Sequence, residues 1–300
     1  MKVKLGISPI AWSNDDLPQL GGSTSLETCL TDSRIAGFSG VASGGKFPLE
    51  DISLLTKTLN KHNLKLVSGW FSGRLLDLSL AEEKDRIEQQ LQTFKKIGAP
   101  VLIYAETSGS VQTIQGTPVS HRPTLATSDI KDYGHQLSLL ADHLQAHGVK
   151  MTYNHHMGTI IEKEHEVDLL MKHTKNSVGL LVDTGHMIFA GGDPFALSLR
   201  HAKRINHIHC KDIREDILKK VHEEDMSFLD AVLAGVFTVP GDGFIDFNYF
   251  TKLLQKINYN GWIIVEAEQD PEQANPLTYA RIGYNELFNS LTKAGAQIIT

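Results

Sequence analysis

Short apolar, β-branched runs recur along the chain at residues 3–8, 38–42, 64–68, 101–105, 149–153, 178–182, 204–209 and 262–265. Each is followed by a segment whose apolar residues return at helical spacing. In one such segment Ile87, Leu91, Phe94 and Ile97 fall at i, i+4, i+7 and i+10, so they share one face, with charged and amide residues opposite. Eight strand–helix repeats predict an α/β fold of the (β/α)8 TIM-barrel type, as one domain over residues 1–300. An open doubly wound sheet has the same alternation. However, no GxGxxG follows the first strand, and polar clusters stand at several strand ends. The long segments 108–127 and 213–243 follow strands four and seven, where barrel loops face the active site, and are expected to wall it.

Barrel chemistry sits at the C-terminal ends of strands, and here those ends are polar: Tyr104-Ala105-Glu106, Asn154-His155-His156, Asp183-Thr184-Gly185-His186, His209-Cys210-Lys211-Asp212 and Glu266-Ala267-Glu268. Taken alone, Asp183 reads as a helix N-cap. It gains weight because Val178-Gly179-Leu180-Leu181-Val182 makes it the first polar group after a buried run. His207 and His209 share a strand face. A satisfied core histidine is the ordinary reading of such a pair, but this one leads into charged Lys211-Asp212. Glu266 follows Ile263-Ile264-Val265, where an unpaired carboxylate is costly to bury; Glu268 reads as a solvated rim residue. Asp, His and Glu from three neighbouring strands form a mixed oxygen and nitrogen set suited to Mn²⁺, Co²⁺, Fe²⁺ or Zn²⁺. Trp12 reads either as a platform for the apolar face of a sugar or as a buried core residue.

Composition narrows the partners. The net charge is −6 and the 29 Lys and Arg are dispersed, which argues against nucleic acid and anionic membranes. The first residues lack a long apolar run and no stretch reaches membrane-spanning length, so a cytoplasmic location is expected. Cys29 and Cys210 are too few and too far apart for a disulfide framework or a CxxC site. Any metal therefore falls to carboxylates and histidines, while Cys210 alternates with His209 and should pack outward.

Six motifs together, Gly6-Ile7-Ser8-Pro9-Ile10-Ala11-Trp12, Tyr153 to Thr159, Asp183 to His186, His207 to Asp212, Val239-Pro240-Gly241-Asp242-Gly243 and Val265 to Glu268, resemble the myo-inosose-2 dehydratases of the xylose-isomerase-like barrels. The resemblance spans nearly the whole chain. It implies dehydration of 2-keto-myo-inositol, a cyclitol ketone, in inositol catabolism, with Mn²⁺ or Co²⁺ and glutathione as cofactors. Of the superfamily's four metal ligands, Asp183, His209 and Glu266 match. The glutamate of strand five has no counterpart, and His155, on the side of Tyr153, is expected to substitute. Lys211, His156, His186 and Glu106 are the candidates for proton transfer or for hydrogen bonding to substrate. A ketose isomerase or epimerase would share the metal and the enediolate. A DNA endonuclease of this fold would need several metals and a basic groove, and a non-catalytic sugar-binding protein would not need the metal triad. Homo-oligomer formation stays open at this level.

Overall fold

The computed structural model describes residues 1–300 and shows eight parallel strands closed into a barrel. They are β1 (Lys2–Ile7), β2 (Gly40–Ser43), β3 (Lys65–Gly73), β4 (Val101–Glu106), β5 (Lys150–Asn154), β6 (Val178–Asp183), β7 (Ile205–Cys210) and a last strand, Gly261–Val265. Each pairs with the next, and the last pairs with β1 from Val3↔Gly261 to Ile7↔Val265, which excludes the open sheet. The strand predictions hold within one or two residues except in β3, which continues five residues past Ser68 to Gly73.

The outer helices form for the reasons the sequence suggests. In the helix Leu80–Ile97, Ser79 and Glu82 make a reciprocal capping box, Gly98 ends it in a left-handed turn, and Ile87, Leu91 and Phe94 are fully buried against the strands. Truncating Phe94 to alanine there would cost about 3–5 kcal/mol. The main core lies between strands and helices, whereas Val67, Trp262 and Ile264 fill the barrel's own interior as a small separate cluster. No helix is long and apolar enough to cross a membrane.

A third apolar cluster, including Met157, Phe189, Phe228 and Phe237, caps one side of the C-terminal mouth. It is built largely from the segment after β7, where the helices Glu215–Glu223 and Phe228–Leu233 lie between the short antiparallel strands Asp212–Ile213 and Phe237–Thr238. The segment after β4 packs on it through Gly116 N–H to Ser227 Oγ (3.1 Å) and Ser120 Oγ to Asp225 (2.6 Å), so the two expected walls form one cap. Buried Asp212 closes the cap at its base, accepting from the backbone N–H groups of Ile213, Gly241, Gly243 and Ile245 at 2.9–3.1 Å. Gly243 must be glycine for this, since a Cβ would lie 2.3 Å from the Asp212 Oδ1.

Candidate active site

The pleat decides which strand-end side chains meet. At the ends of β6 and β7 and just past the last strand, Asp183, His209 and Glu266 point into the mouth, and one ligand atom from each lies within 4.8 Å of the others. Register aligns them, with Asp183↔His209 and Ile264↔His209 paired across the sheet. Asp183 does two jobs at once. Its Oδ1 caps the short helix Thr184–Phe189 by accepting the His186 N–H at 2.9 Å, and its Oδ2 is left buried without a hydrogen bond.

His209 Nδ1 is 3.2 Å from Glu266 and 3.7 Å from Asp183, yet neither ring nitrogen makes a hydrogen bond. Burial pushes its pKa down, but Glu266 and Asp183 outweigh burial and raise it to about 9. The two carboxylates thus call for a positive charge where the ring stands. Orphaned donor atoms and excess negative charge fit a divalent cation. Its partner histidine has a different fate: His207, one layer deeper, is a satisfied core residue bonded to Ser68 Oγ at 3.1 Å.

A second cluster of the same residue types, His156, His186 and Glu268, stands beside the first. Here Lys211 supplies the cation. Its Nζ donates to Glu268 Oε1 at 2.6 Å and to His186 Nε2 at 2.8 Å, and lies 3.3 Å from Glu266 and 3.7 Å from Asp183. Lys211 is fully buried. Burial alone would lower its pKa, but Asp183, Glu268 and Glu266 together raise it, so the amine stays protonated. Burial likewise opposes the charge on Glu268, and Lys211 and His186 together outweigh it to hold the carboxyl ionised. Gly185 makes room for this lysine, as a Cβ there would fall 2.7 Å from Lys211 Cγ. The cap closes over the cluster: the Phe228 ring is 4.9 Å from His156, and Phe237 is 5.5 Å from His186 and 4.9 Å from Lys211 Nζ.

Burial drives the pKa of His156 down to about 3, so its ring is neutral. Its Nδ1 lies 3.0 Å from the Met157 carbonyl, which must receive an N–H, leaving Nε2 as a base. The loop carrying it is fixed from the cap by Arg122, which donates to Thr159 O at 3.0 Å and Glu166 Oε1 at 2.6 Å.

A cavity of about 320 Å³ opens onto these clusters from the opposite side of the mouth. His156, His209, Glu266 and Glu268 line it together with Asn154 and Trp70. Three expectations need correction. Glu106 does not reach the cavity: it shares the outward side of β4 with Tyr104 and accepts from the backbone N–H groups of Leu75 (2.9 Å) and Ser108 (3.1 Å). His155 does not join the metal triad. It lies on the Tyr153 side of β5, which packs outward on Tyr133, and its Nε2 sits 3.4 Å from the Asp183 backbone N–H, so the inward position is Asn154. Glu268 is not a solvated rim residue but is 3% exposed and paired with Lys211. Trp12, with Nε1 bonded to Asp32 at 2.9 Å, is core, and the aromatic wall is Trp70.

The profile of the xylose isomerase-like TIM barrel family matches residues 31–287. The chain belongs to that family. It is 47% identical over 298 residues, 99% of its length and 91% of the relative's, to the rhizopine catabolism protein MocC of Rhizobium meliloti. It is 42% identical to the inosose dehydratase of Geobacillus thermodenitrificans over 281 residues, 93% and 94% of the two chains. Among solved structures, an L-ribulose 3-epimerase superposes with a TM-score of 0.69 at 16% identity (98% and 96% coverage), and the zinc-bound IOLI protein with 0.67 at 17% (97% and 99%). These last two likenesses establish the fold.

Proposed function

We propose that this protein, acting as one barrel domain, is a hydro-lyase that dehydrates 2-keto-myo-inositol in inositol catabolism. The observation that carries the reading is a cation-ready triad opening, beside a neutral histidine base, onto a sugar-sized cavity in a chain 42% identical to inosose dehydratases. At about 320 Å³ the cavity falls at the small end of ligand sites, enough for one cyclitol ring. Ser8, Ser13, Ser43 and Asn154 present hydrogen-bonding groups to its hydroxyls, and Trp70 faces its C–H surface.

Asp183, His209 and Glu266 would hold Mn²⁺ or Co²⁺, a Lewis acid that stabilises negative charge developing on the ketone oxygen. His156 Nε2 takes the proton alpha to the ketone. The departing β-hydroxyl is protonated from the Lys211–Glu268 pair, in which a proton on Nζ has a 2.6 Å hydrogen-bonded path to a carboxylate that fronts the cavity. His186 and Asp183 hold Lys211 in place. The amine, kept charged by its carboxylates, is not a nucleophile toward the ketone.

The test is incubation of Mn²⁺-loaded protein with the keto-inositol while following near-ultraviolet absorbance and product mass, with a chelator-treated control. Dehydration gives a product lighter by one water and a conjugated enol chromophore. A product of unchanged mass would make the protein an isomerase or epimerase instead.

A further inference from the structure

At the end of the barrel opposite the metal residues, a second cavity of about 530 Å³ lies at the N-terminal ends of β1, β3 and the last strand. Lys4, Lys65 and Lys96 line it, and no carboxylate does. None of the three ammonium groups has an ion-pair or hydrogen-bond partner, whereas some lysines elsewhere do, such as Lys61 with Glu27 and Lys175 with Asp142. Lys96 sits in the last turn of the helix Leu80–Ile97, where it complements the helix's negative end. Lys4 and Lys65 are strand residues, and no helix dipole accounts for them. Lys4 Nζ lies 5.3 Å from the Trp262 ring centroid, so an aromatic face marks the cavity floor. In a chain of net charge −6, three ammoniums around one hollow without a carboxylate among them repel each other, and an anion in the hollow relieves that repulsion.

We propose that this cavity binds a small phosphate ester. Lysines act as point charges around a phosphoryl group, needing no planar match. The remaining wall, Leu59, Leu66 and Trp262 with the amide of Asn60, accommodates a short carbon body carrying hydroxyls. Because the site lies at the other mouth, its ligand is not turned over.

Isothermal titration of the metal-loaded wild type with glycerol 3-phosphate tests this, with inorganic phosphate and glycerol as separate arms. Saturable binding is expected for the ester alone among the organic ligands, weakening as salt rises. The variant Lys65→Ala/Lys96→Ala removes two exposed side chains and should bind at least about tenfold more weakly, a loss of about 1.4 kcal/mol. Asp183→Asn should bind as the wild type does. No saturable binding at millimolar ester, equal affinity in the double lysine variant, inorganic phosphate binding as tightly as the ester, or loss of binding in Asp183→Asn would each overturn the proposal.

Discussion

Asp183–His209–Glu266 and His156–His186–Glu268 are assembled from the same kinds of side chain, side by side where the strands end in the mouth. They differ in one residue. Lys211 reaches Glu268 and His186 at hydrogen-bonding distance, but stops 3.3 Å and 3.7 Å from Glu266 and Asp183 without a hydrogen bond to either. One cluster is therefore hydrogen-bonded to the chain's own cation, with only His186 Nδ1 and Glu268 Oε2 left buried and unbonded, whereas the other has no such bond and keeps Asp183 Oδ2 and both His209 ring nitrogens open to an ion from outside. Ligand chemistry alone does not make a metal site; the supply of internal positive charge decides which of two similar clusters becomes one.

The largest effects should come from breaking the first cluster. Asp183→Asn, His209→Ala and Glu266→Gln should each lose bound metal and at least about a hundredfold in kcat/KM, the scale of losing one preorganised electrostatic contact. Elemental analysis after desalting, alongside turnover, checks this; full metal occupancy in all three would remove the site. Breaking the second cluster should give a different signature. Glu268→Gln should retain metal while kcat falls about a hundredfold, the contribution of positioned proton transfer, so metal loss in that variant would merge the two clusters into one.

Lys211→Met sharpens the contrast on stability. It leaves buried carboxylates without their cation, and the metal-free protein should lose about 3–5 kcal/mol in denaturant unfolding. Pairing it with Glu268→Gln should recover part of that loss, and strict additivity of the two changes would show that the pair does not interact. The smallest effects belong to residues behind the clusters. Glu106→Gln should cost roughly 1–3 kcal/mol through its charge-assisted bonds to Leu75 and Ser108, with kcat and metal content unchanged. His155→Ala should leave metal content within about twofold, because its ring stands behind Asp183 and not among the ligand atoms.

The barrel was legible because each strand is a buried apolar run that ends abruptly in polar residues. The same feature exposed Asp183, His209 and Glu266, whose parity along short strands leaves one choice of face. Where parity failed, so did the reading. Glu106 ends its strand in the same way, but lies one residue off the inward register. His155 was placed by assuming that Tyr153 faces inward, and Tyr153 packs on Tyr133 in the helical layer. Glu268 follows its strand in irregular backbone, where alternation carries no information; its direction is set by Lys211, distant in sequence. Trp70 was missed because β3 outruns the apolar segment that announced it.

The staple at Asp212 has a consequence for how such proteins diversify. By gathering the amides of Gly241, Gly243 and Ile245 at the point where the chain leaves β7, it brings the two ends of the cap together independently of what lies between them. Loop-closure entropy grows only logarithmically, so even doubling the excursion costs about 0.6 kcal/mol once its ends are held. The helices over His156 and His186 can thus be lengthened, shortened or exchanged while the strands beneath keep their register, and a new substrate preference can be acquired by rewriting one excursion of the chain.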